Sequence, residues 1–181
     1  NIVIFVADGL RYGSVTPQDA PVMSRLKREG VDFADSHALY PTLTTVNASA
    51  IATGHYIGDT GDFGNVIYTG HPMLSDHGSP VPFLENDVIL DEMNERFGGN
   101  YLGETSLIEA ARAAGYETAV LGKEGPSRIQ DLGAARNGSL GVLLDDATGH
   151  DGGFALPPGY AGAMRAAFVP LAAPATTAPA V

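Results

Sequence analysis

The segment that most restricts the fold of this chain is an uninterrupted apolar run near its start, Ile2 to Ala7, which ends at Asp8-Gly9. Strands that are buried on both faces of a parallel sheet have continuous apolar runs, whereas half-exposed strands alternate apolar and polar residues. We therefore predict a buried parallel strand that carries Asp8 at its carboxyl end. An Asp before a Gly is also typical of a simple turn, so this second interpretation of Asp8 stays open.

The rest of the chain alternates between helical and extended patterns. We predict helices over residues 20–29, 45–53 and 106–114, each followed by a glycine, and strands over 31–39, 117–121 and 140–144. This alternation predicts an α/β fold with a mostly parallel central sheet flanked by helices. Its sheet core would be residues 2–6, 119–121 and 142–144. Residues 1–156 would form this domain, and the Ala/Pro-rich residues 157–181 would be a tail or linker.

The composition narrows the classes of partner. The net charge of −11 argues against a nucleic-acid-binding surface, which needs basic residues, and suits cation binding, although an acidic excess can also serve only solubility. No stretch approaches the ~18 consecutive apolar residues of a membrane span. Because the chain has no cysteine, a metal would have to bind to oxygen and imidazole ligands.

A threonine-rich motif precedes the second predicted helix. It contains Pro41, Thr42, Thr44 and Asn47, and Thr53-Gly54 follows at the end of that helix. A threonine hydroxyl becomes a nucleophile only when a base or a metal activates it, and a carboxylate such as Asp8 is a suitable ligand for that metal. The unpaired N–H groups at a helix start, including that of Thr45, would face a phosphate oxygen. Thr44 could instead simply cap the helix.

In these motifs the chain resembles the nucleotide pyrophosphatase/phosphodiesterase branch of the alkaline phosphatase superfamily. The resemblance covers roughly residues 1 to 155 and departs at Val46 and Ile57, where that family often has proline. It implies the N-terminal part of an alkaline phosphatase-like α/β domain. It also implies Thr44 as nucleophile and metal ligand, Asp8 as metal ligand, and two divalent ions, zinc, as cofactors. Asn65 would bind a phosphoryl oxygen, unless it is only an asparagine in a glycine-rich turn.

Two further polar features are ambiguous. Asp146 and His150 have the Asp-x-x-x-His spacing that the family uses for a metal, but they could also form an ordinary turn after a strand. Lys123 could line the pocket or could be a solvated loop lysine, and His71 and His77 are outside candidates for a functional role. Because the resemblance implies more metal ligands than these residues supply, we expect little or no turnover from the 181 residues alone.

The resemblance implies a secreted or periplasmic hydrolase that cleaves phosphodiester or pyrophosphate bonds in a small phosphate ester or a nucleotide-like substrate. The resemblance also implies that this reaction proceeds through a phospho-threonine intermediate. A phosphomonoesterase, or a sulfate or phosphonate hydrolase of the same superfamily, is an alternative that the nucleophile motif does not separate. An inactive fragment or a cation-binding module is an alternative of another class.

Overall fold

The computed structural model describes residues 1–135, 140–150, 153–156 and 159–167. The chain divides into two compact units, Asn1–Ala38 and Leu39–Val181. The proposed boundary at residue 156 stays a prediction.

The first unit contains one predicted helix and neither of the two predicted strands. Helix α1, Pro21–Glu29, begins with proline at its first position and ends at Gly30, as expected. Residues 2–6 and 31–39 form no strand, and the side chains of Ile2, Val3 and Phe5 are 93%, 88% and 78% exposed. The prediction of a buried strand here was wrong, because a strand needs a neighbouring strand to satisfy its backbone groups and none pairs with this run in the described chain.

Asp8 consequently does not lie at the tip of a sheet strand. It lies in an exposed turn that the N–H of Leu10 closes by donating to the carbonyl of Ala7, with Gly9 in the left-handed region. The simpler of the two interpretations, a turn residue, describes its local structure.

The second unit has an α/β fold, as predicted. Its elements are α2 (Thr44–Thr53), α3 (Ile57–Thr60), α4 (Asp87–Arg96), α5 (Leu107–Ala113), β1 (Ala119–Leu121), α6 (Pro126–Gln130), β2 (Val142–Leu144) and α7 (Tyr160–Ala166). A 3₁₀ turn, Leu74–Asp76, lies within the glycine-rich segment between α3 and α4. Helix α4 was not predicted from the sequence.

The sheet of the second unit is small and parallel. Strands β1 and β2 pair in the register Ala119↔Val142 and Leu121↔Leu144, with α6 in the connection between them. Two of the three segments predicted for the sheet core are therefore confirmed.

Two apolar clusters hold the second unit together. The larger one joins α2, α4 and α6 through fully buried side chains such as Leu90 and Ile129, and the smaller one surrounds Leu143 and Phe154. Burying a side chain of this size typically stabilises a fold by ~1.5–3 kcal/mol.

Helix α7 lies within the segment predicted to be a tail, whose residues 157, 158 and 168–181 are outside the described residues. In the ranges that the structure describes, no helix is long and apolar enough to cross a membrane.

Candidate active site

The threonine motif forms the N-terminus of α2. Thr44 is the first residue of the helix and is half-buried, and the helix ends at Gly54 in the left-handed conformation. Asn47 holds the segment before the helix, because its Oδ1 accepts from the N–H of Leu39 at 2.8 Å and its Nδ2 donates to the carbonyl of Leu43 at 2.9 Å. The motif residue Asn47 therefore orients the entry into α2, which carries the proposed nucleophile.

Asn65 lies against this helix start, although it is distant from it in sequence. Its Oδ1 accepts from the backbone N–H of Thr45 at 3.0 Å and from the hydroxyl of the same residue at 3.2 Å. The expectation that the Thr45 N–H is unpaired was therefore wrong, since the side-chain carbonyl of Asn65 satisfies this N–H. The structure nevertheless brings Asn65 into contact with Thr45, the residue that follows the predicted nucleophile.

A buried acid lies in the same loop as Asn65. The side chain of Asp62 is fully buried, and its Oδ2 accepts from the hydroxyl of Ser49 on α2 at 2.5 Å. Burial raises the pKa of Asp62, and the hydrogen bond from Ser49 opposes this shift. This contact ties the loop that carries Asn65 to the body of α2.

Two charged side chains, Glu85 and Lys123, complete the cluster. The sequence analysis gave no role to Glu85. Glu85 Oε1 accepts from the side-chain nitrogen of Asn65 at 2.7 Å, and Glu85 Oε2 is ion-paired with Lys123 Nζ. Lys123 is thus a partner of Glu85 and not an isolated solvated lysine. A carboxylate directly after the apolar pair Phe83-Leu84 is the only local signal of Glu85, and such a signal is weak.

The other residues predicted as metal ligands make none of these hydrogen bonds in the described part of the chain. Asp146 is exposed and its Oδ1 accepts from the backbone N–H of Glu124 at 2.6 Å, and His150 is exposed in the turn that follows β2. Within the described ranges, no group of three or more His, Asp or Glu side chains could hold a metal ion. Asp8 belongs to the other compact unit.

The site is therefore a chain of hydrogen bonds from Thr45 through Asn65 and Glu85 to Lys123 at the start of a helix. Together with Thr44, the half-buried residue before Thr45, the site has a hydroxyl, an amide and a cation, the groups that could attack, orient and neutralise a phosphate ester.

Comparison with known proteins gives one positive finding. A family model described as type I phosphodiesterase / nucleotide pyrophosphatase matches residues 2–132. No curated protein and no solved structure matches the chain.

Proposed function

Because this chain belongs to the type I phosphodiesterase / nucleotide pyrophosphatase family, we propose that it hydrolyses phosphodiester or pyrophosphate bonds with Thr44 as the nucleophile. The observation that supports this assignment is the hydrogen bond between Asn65 and the backbone N–H of Thr45. It brings a phosphoryl-binding candidate beside the residue that follows the nucleophile, at a helix N-terminus that favours anions.

In the proposed reaction, the hydroxyl oxygen of Thr44 attacks phosphorus in line with the leaving group. The new bond joins threonine oxygen to phosphorus, the bond from phosphorus to the leaving oxygen breaks, and that oxygen takes up a proton. Water then attacks the phosphorus of the phospho-threonine, and the bond from phosphorus to the threonine oxygen breaks. The threonine oxygen takes up a proton from the water, which regenerates the hydroxyl and releases the phosphate product. The amide of Asn65 donates to a phosphoryl oxygen on which negative charge increases.

The family is metal-dependent in general, and we propose two zinc ions as the cofactors, in keeping with the lack of cysteine ligands. When bound, such ions lower the pKa of a coordinated hydroxyl or water. The residues that lie together in the second unit do not make up a metal site, since the described ranges contain no group of three ligands. Chelation should stop hydrolysis, and added zinc should restore it.

The test of the nucleophile is hydrolysis of bis(4-nitrophenyl) phosphate by the protein that carries this sequence. Thr44→Ala should abolish it and Thr44→Ser should retain part of it, because serine keeps a hydroxyl at the same place. Thr42→Ala, which removes an exposed threonine of the same motif, is the matched control and should leave the rate unchanged.

Mass spectrometry of the protein quenched during turnover should find the phosphoryl adduct on the peptide that contains Thr44. Hydrolysis that survives in Thr44→Ala, or an adduct on another residue, would overturn the assignment.

A further inference from the structure

Glu85 is a buried carboxylate with both oxygens engaged. Its side chain is 7% exposed, with Oε1 accepting from Asn65 Nδ2 at 2.7 Å and Oε2 in an ion pair with Lys123. Burying a carboxylate without partners costs several kcal/mol, so a fold keeps one in such a place only when its oxygens are satisfied. The two partners of Glu85 are a residue of the candidate site and a cation.

These contacts give the Asn65 amide one orientation. The backbone N–H of Thr45 can only donate, so it must face the amide oxygen, and the carboxylate of Glu85 can only accept, so it must face the amide nitrogen. An amide nitrogen carries two hydrogens, and Glu85 accepts one of them. The second has no partner in the described part of the chain and is available to a phosphoryl oxygen.

The fold builds this arrangement from three separate segments. An antiparallel bridge pairs Val66 with Phe83, and the N–H of Leu84 donates to the carbonyl of Asn65 at 2.8 Å, which places Glu85 beside Asn65.

The segment after β1 then approaches Glu85 closely at Gly125. A Cβ at position 125 would lie 2.4 Å from the Glu85 Cα, and this glycine has a φ of +82°. Only glycine fits such a position, and its close approach brings Lys123 within reach of Glu85.

Charge gives Lys123 a second role. Phosphate esters are anions, and a bare carboxylate next to Asn65 would repel them, especially in a chain with a net charge of −11. Lys123, whose side chain is 54% exposed, supplies the opposite charge on the far side of Glu85.

We propose that Glu85 is a positioning residue that directs one Asn65 N–H toward the phosphoryl group, and that Lys123 cancels the charge of Glu85 so that an anionic ester can approach. This inference rests on the proposed function and adds to it a role for two residues outside the nucleophile motif.

The first test compares Glu85→Ala with Glu85→Gln in hydrolysis of bis(4-nitrophenyl) phosphate. Alanine removes the acceptor, so kcat/KM should fall roughly 10-fold to 100-fold, as expected for a lost hydrogen bond to a charged group. Glutamine keeps an acceptor oxygen, so kcat/KM should stay within about threefold of the parent protein. Equal losses in both variants, or no loss in Glu85→Ala, would overturn the positioning role.

The second test concerns charge. Lys123→Met leaves Glu85 uncompensated, so KM should rise about fivefold with a smaller change in kcat, and adding Glu85→Gln should restore KM. A double variant no better than Lys123→Met would refute the charge role. Because the Lys123 side chain is largely exposed, we expect Lys123→Met and the double variant to fold even if Glu85→Ala does not.

A matched control variant and a binding measurement distinguish a positioning role of Glu85 from a role in the stability of the fold alone. Glu92 is also hydrogen-bonded and ion-paired, to Ser75 and Arg96, so Glu92→Ala should lower stability and leave KM unchanged. Binding of inorganic phosphate, measured by calorimetry in a Thr44→Ala background, should weaken with Glu85→Ala and not with Glu92→Ala. If the protein that carries this sequence hydrolyses no ester, the proposed function fails; if it does and the Glu85 variants match it, only this inference fails.

Discussion

The carboxyl group of Asp87 should make the stability of this protein fall as pH rises toward neutrality. Asp87 is the first residue of α4 and is fully buried; its Oδ1 accepts from the N–H of Gly125 at 3.0 Å. Oδ2 of Asp87 and Oδ2 of Asp145 are buried without a hydrogen-bond partner. Burial first, and then the neighbouring carboxyl of Asp145, raise the pKa of Asp87 from 3.8 to about 7, with Glu124 adding to the effect.

The sign follows from proton binding. The folded state holds a proton on Asp87 up to about pH 7, whereas the unfolded chain releases it near pH 3.8, so folding is favoured while the proton stays bound. The stabilisation is fully present below pH 3.8 and is lost as pH rises through 7. The pKa of Asp87 is about three pH units higher in the folded state than in the unfolded chain. At 1.36 kcal/mol per unit, this difference corresponds to about 4 kcal/mol in the free energy of unfolding. That is a large share of a typical net stability of ~5–15 kcal/mol.

Asp87→Asn isolates this effect, because asparagine can still accept from Gly125 and can donate to Asp145 but does not ionise. Urea unfolding between pH 4 and pH 8.5 should show the free energy of unfolding falling with pH in the parent protein and much less in Asp87→Asn. At pH 8 the variant should be the more stable of the two.

Asp19→Asn, at an exposed side chain that accepts from the hydroxyl of Thr16, is the matched control and should keep the slope of the parent protein. A parent protein whose stability rises between pH 5 and pH 8, or a variant that runs parallel to it, would refute the reasoning.

Three other perturbations have defined outcomes. Burial opposes the ionisation of Glu92, but hydrogen bonds from Ser75 and Arg96 outweigh it and lower the pKa to about 2. Glu92→Gln should therefore reduce stability above pH 4.5, and its deficit should vanish in urea unfolding as pH falls toward 2. Arg128→Ala removes a buried residue, 5% exposed, from its ion pair with Asp91 and from two carbonyls that accept its hydrogen bonds, and should cost ~3–5 kcal/mol by the same assay, whereas a cost below ~1 kcal/mol would contradict the buried geometry. Ser106→Ala breaks the capping box of α5 and should lower the free energy of unfolding by ~1 kcal/mol, whereas Ser106→Gly should lower it less.

Local patterns were enough to predict the helices at α1, α2 and α5. Their starts and ends depend on groups within about one turn, such as the Ser106 cap or the left-handed Gly54, so a short stretch of sequence contains the necessary information. The strands β1 and β2 were also predicted, from short apolar runs between turn residues. Helix α4 was missed even though Asn86 caps it with hydrogen bonds from two backbone N–H groups, a signal that the sequence does contain.

The apolar run of residues 2–6 shows where such patterns fail. Hydrophobicity predicts that a segment favours burial, but a strand forms only if another strand lies beside it, and this run has no such partner in the described chain. The position predicted for Asp8 failed with it, because that prediction depended on the strand.

By itself, then, the sequence determined the α/β class, the helix that begins at Thr44 and the family to which the chain belongs, since these depend on neighbouring residues or on motif order. Only the tertiary structure decided that Asn65 pairs with the Thr45 N–H and with Glu85, and that Lys123 pairs with Glu85. The physical reason is that the cost of burying a polar or charged group depends on the partners it meets in the fold. Those partners come from segments that are distant along the chain.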